Sequence, residues 1–172
     1  MGIEKDSSDI LLEGSAGIYR SINLGGDWAD DGNLISFGSD ISSLGFSLVG
    51  DLMCSAFAHI LVRGFAHSAE GTYALLLTGM RDGKLNVLGL DFYSCFADGS
   101  SLTTTITPNA KDILAKGIYR RVYAWNGVYD LYHRHQKNLE ELKVGHGKVK
   151  PVDADLRSLA ESLDSFFVRQ FG

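Results

Sequence analysis

The chain has 172 residues, 45% hydrophobic and 22% charged, proportions that exclude disorder of the whole chain and suit one domain. A net charge of −5 opposes the phosphate-neutralising footprint of a nucleic-acid binder, and no apolar stretch approaches the ~20 residues of a membrane-spanning helix. Twenty glycines against two prolines point to many tight turns and strand ends.

Residues 1–39 read as a loosely ordered N-terminal arm, rich in Gly, Ser and Asp, and residues 40–172 as one α+β domain. The arm begins with a polar stretch broken only by Ile10, Leu11 and Leu12, so no secretory signal is expected. Asp6 stands where a myristoylation motif wants Ser or Thr. Gly17-Ile18-Tyr19-Arg20 has the character of a short strand; its recurrence at residues 117–120 lacks matching flanks and is not a repeat.

Asp40 is placed to cap a short helical turn through Ile41 and Leu44, which Gly45 can end in the left-handed conformation. Phe46 to Met53, Ile60 to Ala66, Thr72 to Met80, Leu85 to Phe96 and Ser101 to Thr107 then read as five successive strands. Asp82-Gly83 and Asp98-Gly99 supply Asp-Gly hairpin signals, because a type I′ turn needs positive φ at both central residues. Pro108 ends the fifth strand, and Ile118 to Ala124 reads as a sixth. Val128, Leu131, Tyr132, His135, Leu139 and Leu142 recur at helical spacing, with Gly145 at the stop. After Pro151, Asp153 can cap a second helix striped by Leu156, Leu159, Ala160, Leu163, Phe166 and Phe167. Strands in a run followed by helices give the expected fold: an antiparallel β-meander of five to six strands packed against two C-terminal helices.

Several apparent motifs fail on spacing. Gly79 to Lys84 has three residues between its glycines where a P-loop needs four, and Leu85 replaces the Ser or Thr. The acidic run Asp27 to Asp31 lacks the ligand pattern of a calcium loop, with Ala29 at the third position and Gly38 at the twelfth. Gly14-Ser15-Ala16-Gly17 misses the serine-hydrolase elbow. His133 and His135, two residues apart on a helix, diverge by about 200° and cannot share an ion. His135 lies on the apolar stripe and reads as a hydrogen-bonded core-edge residue, whereas His146 has no companion ligand nearby in sequence. A zinc site from Cys54, Cys95, His59 and His67 would need four separate segments to converge, so no metal is expected.

The informative residues are polar groups within apolar strands. Asp51, Arg63, Asp91 and Arg120 or Arg121 interrupt such runs, and a charge on a half-buried sheet needs a partner. Asp51 and Arg63 can pair across the first hairpin. Ser101, Thr103, Thr105 and Thr107 share one strand face, suited to a polar pocket or to solvent. Late basic residues, Arg134, Lys137, Lys143, Lys148 and Lys150 with His146, gather near a helix C-terminus that favours them.

The candidate ligand-binding residues are therefore Arg63, Asp91, Arg120, Cys54, Cys95 and His59. The expected function is a non-enzymatic, cytoplasmic domain without cofactor that binds a protein partner or a small molecule through its sheet and the sheet-helix groove, and homodimerisation is compatible with it. Neither nucleic acid nor membrane is expected as a partner. The alternative is a small enzyme whose pocket between sheet and helices uses Cys54 or Cys95 with His59, or the carboxylate of Asp91. Two cysteines far apart in sequence suit a reduced compartment.

Overall fold

Two faces of one β-sheet divide the apolar residues between them, following the two-residue alternation of side chains along each strand. A computed structural model of the chain describes residues 19–22, 32–55, 60–82, 84–107 and 114–171. In chain order these form β1 (Tyr19–Ser21), α1 (Gly32–Ser43), β2 (Ser47–Cys54), β3 (Ile60–His67), β4 (Thr72–Arg81), β5 (Lys84–Cys95), β6 (Ser101–Thr105), β7 (Ile118–Val122), α2 (Val128–His146) and α3 (Leu156–Phe171). The seven strands lie side by side in sequence order. All neighbours are antiparallel except β6 and β7, which run parallel. The connection from Thr105 to Ile118 is long enough for the crossover that a parallel pair requires.

The fold is thus an α+β meander with two C-terminal helices, and the helices take opposite faces of the sheet. Leu61 and Phe65 of β3, Ala74 and Leu76 of β4, and Leu90 and Phe92 of β5 face α1 and α2, meeting Leu34, Ile41, Val128, Leu131 and Tyr132. The intervening residues Val62, Ala66, Tyr73, Leu75 and Tyr93 face α3 and pack on Leu159, Ala160 and Leu163. A sheet apolar on both faces needs a helical cover on each side. Glycine makes the α3 contact close: a Cβ at Gly64 would lie 2.2 Å from Leu159 Cδ2, and one at Gly50 3.1 Å from Leu156 Cδ1.

Local structure departs from expectation at four places. Helix α1 begins at Gly32, so Asp40 lies inside it and caps nothing. Gly32, Ser36 and Gly38 are poor helix formers, and burial of Leu34 and Ile41 overrides them. Helix α3 starts after Asp155, not Asp153: the Asp155 carboxylate accepts from the Ser158 N–H at 2.9 Å, and the Asp153 carbonyl accepts the Tyr73 hydroxyl at 3.1 Å. Helix α2 stops at Gly147, φ 82°, whose N–H returns to the Lys143 carbonyl, and passes straight through Gly145. In the Asp82-Gly83 turn Asp82 has φ 53°, whereas in the second Asp-Gly turn only Gly99 is left-handed, φ 85°. With the Phe96 N–H donating to the Ser100 carbonyl and Gly99 N–H to the Phe96 carbonyl, this is a type I turn closed by a bulge.

Helix α2 is keyed to the sheet by a buried polar chain. His135 Nε2 lies 2.9 Å from Ser94 Oγ and its Nδ1 2.9 Å from Thr104 Oγ1. Thr72 donates to the Glu70 carbonyl, and Asn138 Nδ2 donates to Thr104 Oγ1. One direction of donation then satisfies every member: Asn138 to Thr104, Thr104 to His135 Nδ1, His135 Nε2–H to Ser94, Ser94 to Thr72 and Thr72 to Glu70. Burial holds the His135 pKa down at about 3, so the ring is neutral. Its place on the α2 stripe agrees with the sequence reading.

Candidate ligand-binding site

On the α3 face, a cavity of about 230 Å³ opens between the helix and residues of strands β1 to β7. Its walls are mostly apolar, from Val62, Leu75 and Leu77 below and Leu163 and Phe166 above. Its polar side holds Asp91, Arg120, Thr103, Tyr19 and Cys54. A neighbouring groove of about 390 Å³ shares Tyr93 and Phe166 with it, and these two rings stand edge to face with centroids 5.7 Å apart.

Strand alternation puts the polar groups there. Asp91 sits between Leu90 and Phe92, which enter the opposite core, so its carboxyl must point toward α3. Arg120 follows the same rule one strand pair away, while Arg121 turns to the other face and binds Asn138 and Glu141, each at 2.7 Å. Asp91 keeps some exposure through the cavity, but its Oδ1 is sealed from solvent and accepts no hydrogen bond among the described residues. Desolvation raises its pKa to about 6, against the opposing pull of the Thr105 hydroxyl across the strand pair and the Arg120 guanidinium. Arg120 is turned by a 2.5 Å bond from Nη2 to the Thr107 carbonyl. Tyr19, held to α3 by its N–H donating to Asp164 Oδ1 at 2.9 Å, has its phenol pushed well above the usual range by burial.

The six residues singled out from sequence are distributed unevenly. Asp91, Arg120 and Cys54 meet at this cavity. Arg63 lies on the opposite face, where it grips Asp51 through two bonds of 2.8 and 3.0 Å, the cross-strand pair expected. Cys95 borders the neighbouring groove and donates to the Tyr93 hydroxyl at 3.1 Å; both cysteines are free thiols. His59, like the acidic run 27–31, lies outside the described residues. Of the hydroxyl row, Ser101, Thr103 and Thr105 are buried under α3 and Thr103 lines the cavity, so burial and not solvation accounts for them. Tyr19 and the α3 residues were not on the sequence list, although the apolar stripe of α3 held the signal for Leu163 and Phe166.

Among the described residues no cluster of three or more His, Cys, Asp or Glu side chains is arranged for a metal ion, and no helix is long and apolar enough to cross a membrane. The chain matches no protein-family model, no curated protein and no solved structure.

Proposed function

We propose that the domain binds a small amphipathic molecule in the cavity beneath α3, the small-molecule form of recognition through the sheet-helix groove. The observation that carries this is the half-buried Asp91 carboxyl set with Arg120 on the polar side of a mostly apolar cavity. A carboxyl drawn partly out of water costs free energy unless something supplies a donor, and a perturbed carboxyl in a concave site is a functional signal. The neighbouring Arg120 disfavours a full cation and offers donors of its own. The head group that fits both residues presents an N–H donor to Asp91 and a carbonyl acceptor to Arg120, as a primary carboxamide does. The apolar walls take a short hydrocarbon or aryl tail, and the volume, below the roughly 300–1,000 Å³ of drug-sized sites, keeps it short. Two free thiols fit a reducing, cytoplasmic setting.

The test is a methyl-NMR titration with benzamide, phenylacetamide and phenylpropanamide, with toluene and ethylbenzene as tails lacking the head. Saturable shifts at Val62, Leu75, Leu77 and Leu163, larger for amides than for hydrocarbons and weakened by Asp91→Asn or Arg120→Met, are expected. If no amide moves those methyls at millimolar concentration, the proposal fails.

A further inference from the structure

At the far end of the sheet, the turn after β5, strand β7 and the end of α2 bring together three groups that sequence separates widely. His146 Nδ1 lies 2.7 Å from Asp98 Oδ2, and His146 Nε2 lies 2.8 Å from the Tyr119 hydroxyl. Asp98 is fixed by a second set of bonds, with Oδ1 accepting the Ser100 N–H at 2.9 Å and its hydroxyl at 2.5 Å. These bonds, with that from His146, hold the Asp98 carboxyl well below its usual range, so it is ionised and can only accept. The proton on Nδ1 is then fixed in place, and in the neutral ring Nε2 is left as the acceptor for the Tyr119 O–H. Phe96 and Tyr119 flank the imidazole, with ring centroids at 5.7 and 5.1 Å, and set its plane. A carboxylate that orients an imidazole, which in turn polarises a hydroxyl, is the arrangement by which proteins activate an oxygen.

All three residues border a cleft in which that activation has a use. Asp98, Tyr119 and His146 line an open cleft of about 580 Å³ whose other charged groups are Lys116 and Arg169. Arg169 is held over the turn by a bond from Nη1 to the Gly99 carbonyl, and Lys116 has no ion-pair partner among the described residues. Gly117, φ 82°, and Gly99, φ 85°, keep this rim low, since neither backbone conformation suits a side chain.

We propose that this cleft is a proton-transfer site for a substrate bearing a carboxylate or phosphate group, with Tyr119 as the residue that meets the substrate. The anion sits between Lys116 and Arg169. Tyr119 takes a proton from the substrate while its own phenolic proton passes to His146 Nε2, and Asp98 stabilises the imidazolium so formed; the return path restores all three groups. Asp98 and His146 act as positioning residues.

An aryl sulfonyl fluoride carrying a carboxylate reports on both halves of the site. Its reaction forms a bond from the Tyr119 oxygen to sulfur, breaks the S–F bond to release fluoride, and sends the phenolic proton to His146. Peptide mass spectrometry is expected to find Tyr119 modified ~100-fold faster than the exposed Tyr129 of the same molecule, within the range that general-base assistance supplies. Inorganic phosphate should protect it. His146→Gln and Asp98→Asn should each slow labelling at least about tenfold with the melting temperature followed in parallel, and Lys116→Ala with Arg169→Ala should abolish phosphate protection. Modification of Tyr119 no faster than Tyr129, or labelling indifferent to phosphate, overturns the proposal in the unmodified chain, whether or not the variants fold. Unchanged labelling in a folded His146→Gln variant also overturns it.

Discussion

Above neutrality Asp91 carries a charge that its surroundings disfavour. A free Asp carboxyl titrates near 3.8 and this one near 6, so between those values the folded chain holds a proton that the unfolded chain has lost. Stability therefore falls as pH rises through that window and remains lower above it. The full shift corresponds to about 3 kcal/mol, an upper bound because the cavity admits water to part of the side chain. Replacing Asp91 with Asn is expected to raise urea-measured stability at about pH 7.5 by ~1–3 kcal/mol and to leave it nearly unchanged at about pH 4, while amide binding weakens. Equal effects of the substitution at both pH values would rule this account out. His135 works in the other direction. Its folded pKa of about 3 lies below the free value of 6.5, so stability is lost as pH falls through that interval, when the unfolded ring takes up a proton that the buried ring refuses. A His135→Phe variant is expected to lose about 2 kcal/mol at neutral pH, because Ser94 and Thr104 each give up a partner, and to show a flatter acid limb. Calorimetry from pH 4 to pH 8 reads both changes. Asp91 stood out in the sequence because a carboxylate between Leu90 and Phe92 has no ordinary reason to be there. Arg120 and Cys54 were named with it and Thr103 lay in the hydroxyl row, whereas Tyr19 escaped, since it comes from a three-residue strand in the arm.

At the level of elements, the strands were legible because apolar β-rich runs bounded by Asp-Gly turns leave few alternatives. The six strands read from Phe46 onward all form with ends within about two residues. What sequence could not supply was which face each helix covers. Two apolar stripes of similar width look alike, and the sheet's alternation serves either side equally. The deciding residues are small. Gly64 and Gly50 clear the ground for Leu159 and Leu156, whereas the opposite face presents Leu61, Phe65 and Arg63. The part of helix α1 before Asp40 escaped notice for a related reason: its helicity comes from tertiary burial of Leu34 and Ile41, not from propensity. Gly64→Ala would place a Cβ 2.2 Å from a Leu159 that has no room to turn aside, being fully buried. The expected cost is roughly 1–3 kcal/mol, with α3 displaced outward and the cavity enlarged. Chemical denaturation with methyl NMR of Leu159 and Leu163 checks it; an unchanged midpoint would mean that α3 does not rest on Gly64 as described.

The whole molecule is asymmetric across its sheet, and this has a consequence for how it opens. On one side α1 and α2 share a continuous core with β3 to β5, and the chain of bonds through His135 and Asn138 keys α2 to β5 and β6. On the other side α3 stands alone, spans a cavity and joins the sheet mainly through Leu156, Leu159, Leu163 and Phe166. A smaller apolar core and an underlying void leave α3 less firmly held than α2, so it should open in a partial unfolding step while the α1–α2 side stays folded. Native-state hydrogen exchange at increasing, sub-denaturing urea is expected to show α3 amides exchanging through an opening smaller than global unfolding, with α2 amides reporting the global value. Coincident exchange of the two helices would contradict this. The same opening gives a ligand beneath α3 a route in and out without disturbing the rest of the sheet. A bound amide stabilises only the closed form, by RT ln(1 + [L]/Kd), or about 2.7 kcal/mol at a hundredfold excess over Kd. Protection should therefore rise by that amount at α3 amides and equally at α2 amides, because neither the α3-open form nor the globally unfolded chain holds the ligand.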